Sequence, residues 1–184
     1  MTPSGLVRCA AAVLAAVAVL AGPGPASAQT SDALMATLVH QLHAQGADRV
    51  NARLLTEPAN LTFLNERAAD CEPAAVDLAV RLLRSRNAKA AALHQESLRL
   101  AVGACTELVL SKLVAAEVPR VCASVARWTL TQTARELRRR VAQLEVDEAA
   151  RATEHGPACR AAYLHELRHT RVVLRAARPG RDGG

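Results

Sequence analysis

Apolar residues return every three or four positions along almost the whole chain, and no stretch alternates apolar with polar residues for the length of a strand. Positions three and four apart share one face of a helix, whereas a half-buried strand needs a period of two. That pattern restricts the chain to an all-α fold. Its punctuation divides the helices. A first helix is expected after the cap candidate Ser31, burying Leu34, Leu38, Val39 and Leu42, with Gly46 interrupting it before a second piece that ends near Leu55. Thr56 and Pro58 mark a fresh start, giving a short helix over roughly 58–69, and Pro73 opens the next, which buries Val76, Ala79, Val80 and Leu83. Asn87 reads as a turn. A long element is expected from about Ala88 to Glu117, with Leu98, Val102, Cys105, Val109 and Leu113 on one stripe.

Pro119 ends that element and begins another, since proline suits a first helical turn. It is expected to run to about Thr153. Within it, Val121, Val125 and Trp128 make one apolar stripe, while Leu130, Ala134, Leu137, Val141 and Leu144 make another. The step from 128 to 130 is roughly 200° around the axis, so the buried face changes sides at WTLTQT, where a kink is expected. Gly156-Pro157 is a stop followed by a start, and the last helix should reach about Ala177. Short connections between long amphipathic helices make antiparallel neighbours. The fold expected is an antiparallel helical bundle of about five helices.

The first 28 residues read as a signal peptide: Arg8, an apolar run from Cys9 to Gly22, then PGPASA before Gln29, with cleavage after Ala28. The apolar run is shorter than the roughly 20 residues a membrane span needs, so the product is expected to be periplasmic or secreted, without a transmembrane segment. Residues 29–178 would form a single α-helical domain and 179–184 a disordered tail. Cys71, Cys105, Cys122 and Cys159 follow the cleavage site, and an even number of cysteines in an exported chain argues for two disulfides. Counting rise from the turn at Asn87 puts Cys71 and Cys105 at nearly one height, which favours a Cys71–Cys105 bridge and leaves Cys122–Cys159. The second pair fits badly on a straight helix, because it would lie near opposite ends.

Near the C-terminus stands His165-Glu166-Leu167-Arg168-His169. Two histidines four apart project from one face of a helix and can share a metal. Over these five residues the chain resembles the core of the zincin metalloproteases. The resemblance implies zinc held by His165 and His169, with Glu166 as general base on a bound water. The chain departs from the pattern in three ways: Asp182 is the only downstream candidate for a third protein ligand, Arg168 is charged, and no upstream strands line a cleft. A metal site could instead draw on a neighbouring helix, where His94 shares the inward stripe of Leu98 and Val102 and Glu96 lies nearby. His40 and His43, three apart, fall off the apolar stripe and are expected to be exposed.

Arg160, Arg168, Arg171, Arg175 and Arg178 lie within about 80° of one another on the last helix and form a basic face. His165 and His169 point away from it, so both are expected to be partly buried. Beyond Arg8 the chain keeps 22 basic and 17 acidic residues, a net charge near +5, but Phe63, Trp128 and Tyr163 are its only aromatics. Base-stacking platforms need more aromatic faces, which argues against nucleic acid. There is no glycine-rich phosphate loop, no G-x-S-x-G and no cysteine placed as a nucleophile.

The function expected is therefore that of an exported interaction or accessory protein without catalytic activity or cofactor. It would engage a protein partner, an acidic one if through the basic face, which could also meet a membrane surface. The WTLTQT surface is a second contact candidate. The alternative is a metal-binding helical protein using His165, His169 and His94 with zinc or another transition metal. A zinc hydrolase with Glu166 as its base stands behind that.

Overall fold

In a computed structural model, residues 25–177 are described, with side chains from residue 32 onward. Most of the expected signal peptide, the expected tail and Arg178 lie outside the described residues. The described chain is all-α and carries no strand. Its helices are α1 (Pro25–Gln45), α2 (Ala47–Thr56), α3 (Pro58–Ala69), α4 (Pro73–Leu83), α5 (Ala88–Ala101), α6 (Thr106–Leu110), α7 (Val118–Val121), α8 (Leu130–Val146), α9 (Glu148–Ala152) and α10 (Gly156–Ala176). Ten helices stand where about five were expected: the two longest expected elements are cut into five pieces, and α1, α2, α3, α4 and α10 each stand as separate helices. α1 also starts upstream of Ser31, which is thus inside a helix and not its cap.

Local signals place most of the boundaries. Gly46 separates α1 from α2 at φ 78°, a left-handed conformation that glycine adopts without penalty. Pro58 and Pro73 open α3 and α4, where a missing N–H costs nothing. The side chain of Asn87 accepts from the Ala90 N–H and so caps α5. α4 and α5 form a hairpin around that turn, which Asp48 of α2 fastens by accepting from the Ser85 hydroxyl, the Arg86 N–H and the Arg86 guanidinium. Those hydrogen bonds, led by the Arg86 side chain, hold the Asp48 carboxyl down at about 2.

Two further breaks fall inside the long expected elements, the first with a tertiary cause and the second with a local one. The expected helix over 88–117 stops at Ala101, and the carbonyls it leaves are taken by arginines of α8. Arg140 donates to the Arg99 carbonyl at 2.7 Å and Arg139 to the Gly103 carbonyl at 3.1 Å. Gly103 is where Arg140 passes: a Cβ there would stand 2.6–2.8 Å from the guanidinium. The second break replaces the expected kink. α7 ends at Val121, an irregular segment follows, and α8 restarts in a capping box in which Thr129 accepts from the Gln132 N–H while Gln132 accepts from the Thr129 N–H. The change of buried face at WTLTQT is thus a change of element.

Both expected disulfides form. Cys71 and Cys105 are 6.0 Å apart between Cα atoms, and Cys122 and Cys159 5.3 Å. The second pair meets because Cys122 lies beyond the end of α7, off any long helix. Two packed groups result: α2, α3, α4 and α5 on one side, and α8 with α10 on the other, joined through α7, α6 and α9. One buried apolar cluster runs through both, from Met35 to Leu167. No helix among the described residues is long and apolar enough to cross a membrane.

Candidate functional site

α10 buries Cys159, Tyr163, Leu167 and Thr170, a stripe with steps of four, four and three. Against the expectation of partial burial, His165 and His169 are both exposed. The angular position of each residue explains this. At 100° per residue the helix divides into three sectors of about 120°: the buried stripe, the arginines, and a third face carrying Ala158, Ala161, Ala162, His165 and His169. The face away from the arginines is therefore not the core.

This third face forms one wall of an open groove of about 530 Å³. Pro119, Cys122 and Ala123, from α7 and the turn after it, form the opposite wall. The Cys122–Cys159 bridge ties the two walls together. Glu166 adds a second tie: its carboxylate accepts from the Ser124 N–H at 2.8 Å and from the Ser124 hydroxyl. Both of its oxygens are thereby engaged in holding the 122–129 segment, which no residue pattern in HELRH announces.

His94 lies elsewhere. It is fully buried between α2, α3 and α5, as the apolar stripe predicts, and does not join His165 and His169. Nδ1 is 2.8 Å from the Asn65 side chain and Nε2 is 2.9 Å from Asn51 Oδ1, while Asn51 donates to the Leu82 carbonyl. Burial pushes the ring down to about 4, so it is neutral at ordinary pH. A neutral ring has one N–H. The atoms facing Nδ1 and Nε2 are the amide oxygens of Asn65 and Asn51, so a neutral ring donates to one of the two. Both ring nitrogens face these asparagines inside the core, and His94 is not among the residues lining the histidine groove. Among the described residues no three histidine, cysteine, aspartate or glutamate side chains gather as metal ligands. His40 and His43 are exposed, as expected.

The basic face is divided. Arg160 is half-buried and paired with Glu145, while Arg168, Arg171 and Arg175 are exposed. The WTLTQT surface is partly covered: Arg140, itself buried, stacks over Trp128 at 4.9 Å and over Tyr163 at 5.7 Å. Burial raises the Tyr163 hydroxyl above its ordinary range, and Arg140, which donates to that hydroxyl, offsets part of the rise. Leu130 remains exposed beside it. Compared with protein-family models, with curated proteins and with solved structures, the chain finds no match.

Proposed function

We propose that the chain is an exported, periplasmic helical interaction or accessory protein, which acts by presenting binding surfaces and has no catalytic activity of its own. The observation that carries this reading is the groove between α7 and α10. Its walls expose alanines in place of long side chains, so a partner's backbone can approach closely, and two imidazoles at its rim offer polar anchoring. The protease reading asks Glu166 to take a proton from water, and that carboxylate is already occupied by Ser124.

A second reading rests on one specific feature. His165 and His169 are exposed, one turn apart and turned into the same groove. They supply two nitrogen ligands of the kind zinc and other transition metals take, with the remaining positions left to water or to a partner.

A photo-reactive side chain placed at Ala161 tests the first reading in cells that export the chain, with one at exposed Val146 as the control. A discrete adduct from Ala161 alone is expected. Equal yields from both positions would remove the groove as a contact surface. Metal analysis of the untagged protein decides the second reading. About one transition metal per chain, lost in His165→Ala/His169→Ala, would establish it.

A further inference from the structure

We propose that a second site, the cleft between α8 and α10 walled by Arg138, Arg171, Leu174 and Arg175, receives a phosphate group. The cleft has a volume of about 280 Å³ and lies on the Arg138 side of the α8–α10 pair, away from the histidine groove.

The reason is how the chain distributes its carboxylates. Many arginines elsewhere are matched, among them Arg84 with Glu117, Arg86 with Asp48, Arg139 with Glu136, and Arg160 with Glu145. The cleft differs from the other described arginines without an ion pair, such as Arg49 and Arg151, in bringing three together. Among the described residues, no carboxylate comes within ion-pair distance of Arg138, Arg171 or Arg175. The antiparallel course of α8 and α10 accounts for this. The Arg160–Glu145 pair and the Arg140–Tyr163 contact fix the register, so the start of α8 lies beside the end of α10. Of the acids of this half of the molecule, Glu136 is taken by Arg139 and Arg140 and Glu166 by Ser124, while Glu145, Asp147, Glu148 and Glu154 lie towards the other end. Three guanidinium groups from two helices therefore share one depression with no counter-charge from the described chain.

Such a cleft selects by charge and by shape. A single carboxylate would balance one of the three cations, whereas a phosphomonoester brings about −1.5 to −2 at neutral pH and three acceptor oxygens. Guanidinium is planar, permanently charged, and donates in a fork that matches phosphate oxygens two at a time. α10 ends here, so its terminal carbonyls already favour the arginines, and the exposed ends of those side chains remain available to a ligand. The shared chemistry is that of a phosphate group, free or on a lipid headgroup.

The test is titration calorimetry of the exported chain with inorganic phosphate, alongside Arg138→Gln/Arg171→Gln and a charge-matched control, Arg49→Gln/Arg151→Gln. All four arginines are exposed, so both variants should keep the wild-type circular dichroism and melting curve. The cleft variant should bind phosphate about tenfold more weakly, or not at all, and the control should match wild type within about twofold. Equal weakening in both variants would reduce the effect to net charge and overturn the site. So would an absence of phosphate binding by the wild-type chain. Co-sedimentation with phosphatidylglycerol vesicles distinguishes the sources. Vesicle binding that the cleft variant loses and inorganic phosphate competes away assigns a headgroup, and phosphate binding without vesicle binding assigns a soluble phosphate. Vesicle binding that phosphate does not compete away would replace the site with a general membrane contact.

Discussion

His94 links four helices by hydrogen bonds alone. Its ring joins Asn51 of α2 to Asn65 of α3, Asn51 reaches the Leu82 carbonyl of α4, and Ser97, one turn along α5, donates back to the His94 carbonyl. Burial penalises the charged form of the ring, so the network is most stable while the ring stays neutral. An unfolded chain takes up the proton near the ordinary value of 6.5, whereas the folded ring resists until about 4. The unfolded state therefore binds more protons between those values, and stability falls as the pH drops through the interval. Urea unfolding at pH 7 and pH 5 should show a loss of ~2 kcal/mol from this group. Asp48 does not contribute to that loss, because its stabilisation goes only as the pH falls further, towards its own lower value. His94→Gln should be less stable at pH 7 but flatter with pH. A slope equal to wild type would place the acid sensitivity in other groups.

At the scale of the helix, most boundaries were written in single residues: Gly46, Pro58, Pro73, Asn87 and Gly156-Pro157 each sit where a helix starts or stops. Two were not found by periodicity, for different reasons. The end of α5 at Ala101 falls inside a good helical pattern. It is set from outside, by the arginines of α8 that take the freed carbonyls and by the turn Cys105 makes to reach Cys71. The start of α8 did have a local signature, since Thr129 and Gln132 are spaced as a capping box, and the change of buried face drew attention to the right place. The candidate site was legible in part. His165 and His169 do share a face, but a two-sided picture of α10 put that face in the core, and the carboxylate clasp between Glu166 and Ser124 spans 42 residues of sequence.

The capping box can be tested directly. Thr129→Ala should cost about 1 kcal/mol, measured by denaturant unfolding, because the Gln132 N–H loses its acceptor. Thr129→Ser should retain most of that stability. If serine proves as costly as alanine, the threonine methyl packing and not the cap sets the start of α8.

Over the whole molecule, the two disulfides divide the work by location. Cys71–Cys105 staples the corner after α3 to the break after α5, inside the group of α2 to α5. Cys122–Cys159 staples the 122–129 segment to α10 and forms part of the groove. Their sequence separations, 34 and 37, are nearly equal. Loop entropy alone thus assigns each about 3–4 kcal/mol through restriction of the unfolded chain. The folded state breaks the symmetry. Cys71 sits at φ 66° just past the end of α3, where its N–H donates to the Ala68 carbonyl and the Glu72 N–H to the Arg67 carbonyl, a terminus that glycine usually supplies. Holding a residue with a Cβ there costs about 1 kcal/mol, which the bridge must offset. Cys71→Gly/Cys105→Ala should therefore destabilise by about 1 kcal/mol less than Cys71→Ala/Cys105→Ala, since glycine relieves the backbone even as the bridge is lost. Cys122→Ala/Cys159→Ala should cost the full loop term, and protection of the Ser124 amide against hydrogen exchange should fall, because its segment loses its covalent tie to α10. Identical stabilities for the glycine and alanine versions at Cys71 would mean that the left-handed turn carries no cost in this setting. Unchanged protection at Ser124 would mean that the carboxylate clasp holds the groove wall without the disulfide.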